Sequence, residues 1–272
     1  MIRASLSTTS VLDETSEAVA RVAAPWAGLL AVTSMPYRFL QVLFIERLQE
    51  LGSSATHYAL ALGSLANWTI LAFVVSLLGR AVFARAVRLA EEEGETEEGR
   101  TRVTSAPLRV PPAALISYVY TGALTALTFL LALPTILAIP LAIMLSGLAI
   151  GTMELNRQPG LRGPLRLIVH YLRSSRTQLA VTLIFGLALL MAWINFYAVA
   201  ELVLWLANAF AGVDTARWTL LVGSRHFAWL SFAGALLAIE PFWVAANVVL
   251  VRKAGAVESG EELRMWFREL QA

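Results

Sequence analysis

Read along the chain, apolar and polar positions fall into long blocks instead of alternating. Six apolar segments stand out: residues 24–45, 58–82, 112–133, 135–153, 177–210 and 227–251. Runs of about twenty apolar residues are what a helix needs to cross a hydrocarbon layer of roughly 30 Å. Barrel strands would instead show alternating stretches of about ten residues. The pattern therefore predicts an all-α integral membrane protein with six transmembrane helices and a single polytopic membrane domain spanning 1–272.

The segments differ in character. The first, APWAGLLAVTSMPYRFLQVLFI, carries Pro36 and Arg38 near its centre. If it is re-entrant or lies at the interface, five spans remain and only the N-terminus changes side. The third opens on Pro111-Pro112, where a missing N–H costs a helix nothing. Pro134 separates it from the fourth, so the two read as a tight antiparallel hairpin. The fifth, at 34 residues, is longer than a bilayer core requires and must tilt or project. The sixth carries Glu240 and Pro241. Pro140 in the fourth has no charge beside it, and the two halves show no convincing repeat.

Between these blocks, residues 1–23 read as a polar tail and 83–110 as a mobile charged loop containing AEEEGETEEGRTR. Two pieces are amphipathic. In 164–176, Leu165, Ile168, Val169 and Leu172 share a helical face, with Arg166, Arg173 and Arg176 elsewhere. In the 254–272 tail, Ser259 and Glu262 have capping-box spacing. Leu263, Trp266, Phe267 and Leu270 then form a stripe beside Arg264. Both helices, 164–176 and 259–271, are expected to dock on anionic headgroups at the membrane surface or on a partner subunit.

Composition sharpens the class. The chain is 58% hydrophobic and 15% charged, against roughly 45–50% and 25% in soluble domains. No segment outside the spans is long enough for a core of its own. Cysteine is absent, which removes disulfides, thiol chemistry and thiolate metal sites. The N-terminal residues are polar and partly acidic, unlike a cleaved secretory signal. The net charge of +2 comes from arginines placed asymmetrically, so it does not point to nucleic acid. With the N-terminus cytoplasmic, Arg38, Arg47, Arg217 and Arg225 fall in the first helix or outside. The other 17 of 21 basic residues lie inside, as the positive-inside rule requires. Both termini are expected in the cytoplasm.

Candidate chemistry is sparse. The sequence contains no HExxH, GxSxG, phosphate-binding loop or paired-aspartate motif. His57, His170 and His226 are scattered near predicted membrane boundaries, a poor arrangement for haem. Asp13 and Asp214, the two aspartates, lie outside the spans. No catalytic residue, metal site or cofactor is expected, and no enzymatic activity follows from the residues.

Five intramembrane polar residues remain: Arg38, Asn195, Glu201, Glu240 and Asn247. A charge at mid-bilayer costs about 2.5–3.5 kcal/mol on insertion scales, so pairing is the economical arrangement. Counting along the spans puts Glu240 near mid-depth, Arg38 slightly outside it and Glu201 in the outer half. An Arg38–Glu201 or Arg38–Glu240 bridge is geometrically open. Such a pair would fix helix packing. Otherwise a buried Glu could serve a proton- or substrate-coupled site, or a carboxylate could sit in a hydrated vestibule or near the surface. Pro36 and Pro241 are candidate hinges, because a mid-helix proline releases a backbone carbonyl.

The stretch EPFWVAANVVLVRKAGAVESGEELRMWFREL resembles the ending of a broad group of bacterial multi-pass proteins. These are similar to the membrane domain that accompanies some glycerophosphodiester phosphodiesterases. The shared features are a proline in the last span (Pro241), the basic exit Arg252-Lys253 with its amphipathic tail, and a basic interfacial helix before a long fifth span. The resemblance covers about the last 110 residues, and the phosphodiesterase catalytic domain is missing from them. It implies a helper in the bacterial inner membrane that works beside other gene products. The sequence thus favours a non-enzymatic scaffold or accessory subunit, with a transporter or permease subunit for a small or lipidic substrate as the alternative.

Overall fold

The computed structural model describes residues 7–22, 24–50, 55–94, 175–212 and 214–259. The predicted third and fourth spans lie outside these residues. So do Arg166, Arg173, Arg264, Trp266, Phe267 and nearly all of the two amphipathic segments.

Every element among the described residues is an α-helix. In chain order these are α1 (Thr8–Arg21), α2 (Ala24–Glu50), α3 (Ala55–Gly94), α4 (Ser175–Ala211), α5 (Ala216–Val222) and α6 (Arg225–Ser259). Among the described residues, three stretches are long and apolar enough to cross a membrane: Asn67–Ala90, Arg176–Ala211 and Arg225–Lys253. A fourth arises if α1 and Ala24–Leu43, bent by 99° at their junction, count as one broken span.

Two boundaries differ from the sequence reading. The predicted second span, 58–82, lies wholly within α3, and the helix continues to Gly94. Residues 83–94, expected as the start of a loop, are helical because their apolar side chains recur at helical spacing. Phe83, Ala84, Val87 and Ala90 are all buried, and the intervening Ala and Arg are good helix formers. The polar tail also folds. Val11, Thr15 and Ala18 repeat every three or four residues and are buried, so α1 is amphipathic.

The chain divides into two compact units, and α2, α3, α4 and α6 each contribute to both. The first comprises Met1–Leu30, Leu77–Ile184 and Pro241–Ala272. Its core includes Phe83, Val87 and Val181 together with Val244–Val251 of α6, which is buried on every side. A helix apolar all round belongs at the centre of its packing. Here Lys253 binds α1 through Glu14, at 2.5 Å, and through the Ser10 hydroxyl.

The second unit comprises Ala31–Ser76 and Phe185–Glu240. In it α4 and α6 run antiparallel. Tyr197 stacks edge-on against Phe227, with ring centroids 5.2 Å apart. Trp193 meets Phe232 at 5.7 Å, and its indole N–H donates to the Ser231 hydroxyl (3.0 Å) and the Ala228 carbonyl (3.3 Å). Phe196 lies over Gly234, where an added Cβ would meet the ring at 3.6 Å.

Beyond Tyr197, α4 runs fourteen further residues, about 21 Å at 1.5 Å per residue. It therefore projects past the start of α6 by roughly that length. Gly212 ends it at φ 61°, the left-handed conformation that glycine adopts without strain after a helix. Asp214 then accepts a bond from the Ala216 N–H to start α5, and the Ser224 hydroxyl accepts one from Phe227 N–H to start α6.

Candidate functional site

The second unit holds the one strongly buried carboxylate among its described residues. Glu240, on α6, is 4% exposed. Its Oε1 accepts a hydrogen bond from the Ser34 hydroxyl at 3.1 Å, and its Oε2 lies 3.6 Å from Arg38 Nη2. Both partners come from α2, one turn apart. The buried side of α2 follows the four-residue spacing Leu30, Ser34, Arg38, Val42, so its polar groups interrupt an otherwise apolar face.

Arg38 is held from a second direction. Its Nη1 donates to Gln41 Oε1 at 3.0 Å, and its guanidinium lies over the Tyr37 ring, 5.4 Å from the centroid. Gln41 Nε2 donates in turn to the Tyr37 hydroxyl at 2.8 Å, while the Tyr37 ring packs against Phe73 of α3 at 5.3 Å. The result is a linked set, Ser34–Glu240–Arg38–Gln41–Tyr37, in which Glu240 Oε2 meets Arg38 as an ion pair only; this oxygen and Arg38 Nε are buried without a hydrogen bond among the described residues. In a low-dielectric setting such a network is stabilising only when its members are satisfied.

A proline adjoins the pair on each helix. Pro36 lies between Ser34 and Arg38 in α2, and Pro241 follows Glu240 in α6; both helices continue through. Each lacks an N–H, which leaves the Val32 and Leu237 carbonyls without the usual helix donor.

The other polar residues singled out from the sequence lie elsewhere. Asn247 is buried in the first unit and donates to the Trp243 carbonyl one turn back, at 2.7 Å. Arg176 is exposed at the start of α4. Asn195 and Glu201 are both exposed on α4. The register set by Tyr197–Phe227 brings Glu201, one turn further, level with Gly223 and Ser224 just before α6 begins. Of the two bridges open to Arg38, the geometry joins it to Glu240; Glu201 lies on α4 beside the turn that precedes α6. Sequence reasoning missed Ser34, Tyr37 and Gln41. Their helical spacing around Arg38 was the available signal.

Among the described residues no group of three or more His, Asp or Glu side chains is placed to hold a metal ion. Comparison with protein-family models, with curated proteins and with solved structures yields no match.

Proposed function

We propose that this chain is a non-enzymatic subunit of a membrane complex, a scaffold or accessory component of the bacterial inner membrane with both termini in the cytoplasm. The observation that supports this reading is the linked polar set around Glu240, whose hydrogen bond and ion pair tie α2 to α6. A site that binds or transforms a substrate leaves polar valences directed at the space the substrate will fill. Here the bonds of Ser34, Arg38 and Gln41 run to Glu240, to Tyr37 and to one another, and of this set only Glu240 Oε2 and Arg38 Nε are buried without a hydrogen bond. Such a cluster fixes how α2 and α6 meet. The Arg176–Ala211 span, with 17% of its apolar window buried against 50% and 56% in the other two, leaves most of its surface for other contacts.

Affinity purification of the full chain in mild detergent tests this. Stoichiometric co-purification of other membrane proteins is expected, and it should persist when Arg38 and Glu240 are both replaced by Met. Recovery of this chain with no other protein overturns the reading.

A second reading has one specific observation in its favour: the ion pair is flanked by a proline on each helix. Proline-bearing helices meeting at a buried charge pair suit a transporter subunit that moves a small or lipidic substrate. Proteoliposomes in which the Arg38→Met/Glu240→Met variant transports as the parent does would dismiss it.

A further inference from the structure

We infer that α4 pairs with α4 of a second copy of this chain, in a two-fold symmetric contact centred on Asn195. The inference stands on the geometry of α4 and goes beyond the accessory-subunit reading.

Trp193 and Tyr197 mark the side of α4 that faces α6. At about 100° per residue, Asn195 points almost directly away from both. Ala188, Met191, Asn195, Ala198, Leu202 and Trp205 follow in alternating steps of three and four along that outer side. All but the half-buried Ala188 are exposed. Steps of three and four generate a seam suited to another helix, and small residues at 188 and 198 let two backbones approach.

The asparagine decides the occupant. Asn195 has no hydrogen bond among the described residues. It lies between residues level with Phe227 and Ser231, inside the Arg225–Lys253 span. Lipid tails offer an amide nothing. An amide carries both a donor and an acceptor, so two copies related by a two-fold axis satisfy each other, N–H to C=O in both directions. A single polar residue at a seam position sets register and helix number in the same way. A symmetric interface must be self-complementary, and Asn195 meets that condition by itself.

Because the chain has no cysteine, single-cysteine variants report contacts cleanly. Met191→Cys and Ala198→Cys lie on the seam. Leu190→Cys is exposed but about 140° round the helix from Asn195. In phosphatidylethanolamine/phosphatidylglycerol vesicles, oxidation should yield disulfide-linked dimers from the two seam variants and not from Leu190→Cys. Energy transfer between donor- and acceptor-labelled chains, followed as lipid is added, should show Asn195→Ala weakening self-association by about 3- to 30-fold. Asn195→Gln should recover much of the loss. The residue is exposed, so both variants should keep the parent's helical circular dichroism. Equal linking at all three positions, or an Asn195→Ala dimer as tight as the parent, overturns the inference. So does a seam that links only to a different protein, an outcome that would leave the accessory-subunit reading intact.

Discussion

Two glutamates, each written into a long apolar helix, meet opposite circumstances in the second unit. Glu240 is enclosed, hydrogen-bonded by Ser34 and faced by Arg38, whereas Glu201 stands exposed on α4. Local sequence hardly separates them: IEPFW and AELVL are both apolar around the acid. Register separates them. Aromatic contacts at 193 and 197 fix α4 against α6 so that α4 overruns its neighbour, and Glu201 falls in the overrun. A carboxylate inside a hydrophobic run is thus a buried charge only when its helix neighbours also extend past it.

The sharpest way to break the contrast is to delete one acid at a time. Glu240→Ala leaves the Arg38 guanidinium without its counter-charge in a buried setting, which typically costs about 3–5 kcal/mol. Thermal unfolding in detergent should show the largest loss of any single change discussed here. Replacing Arg38 and Glu240 together with Met removes both charges, and the double variant should regain most of that loss. A Glu240→Ala protein as stable as the parent would mean that the pair does not hold α2 to α6.

The register itself can be tested next. Trp193→Phe keeps a ring against Phe232 but removes the N–H that reaches Ser231 and the Ala228 carbonyl. A loss of about 1–1.5 kcal/mol is expected. If α4 and α6 were held by apolar contact alone, the phenylalanine variant would unfold with the parent.

Membrane-crossing character was plain from composition and block length, because the hydrophobic requirement for a span is long and depends little on neighbours. The ends of helices were less plain. Residues 83–94 looked polar as a block, yet Phe83, Val87 and Ala90 fall on one face, and burial of that face carries α3 onward to Gly94. The same holds for α1, whose Val11, Thr15 and Ala18 stripe was masked by the serines and acids between them. Charge and depth marked Arg38 as a partner for Glu201 or Glu240 without choosing between them, and the choice of Glu240 came from helix register. Ser34 and Gln41 were not marked, because a hydroxyl or amide inside a span is ordinary until a charge is found beside it.

A smaller effect is expected in the first unit, where Lys253 joins the end of α6 to α1. Glu14 is partly exposed, so Lys253→Ala should cost no more than about 0.5–1 kcal/mol globally. Hydrogen exchange should respond more clearly, with faster exchange across Thr8–Arg21 and little change in Val244–Val251. Uniform acceleration through both stretches would show that α1 opens only with the whole unit.

The smallest effect belongs to Glu201. An exposed carboxylate with no ion pair among the described residues contributes little to folding. Glu201→Gln should therefore leave stability within about 0.5 kcal/mol of the parent. Its position is better read by access. In a chain without cysteine, Glu201→Cys should react readily with a membrane-impermeant maleimide in sealed vesicles that expose the α4–α6 turn. Ala235→Cys, at a fully buried position of α6, should not react under the same conditions. Equal protection of the two sites would place Glu201 under a protein or lipid cover, and its contrast with Glu240 would then be one of pairing rather than of depth.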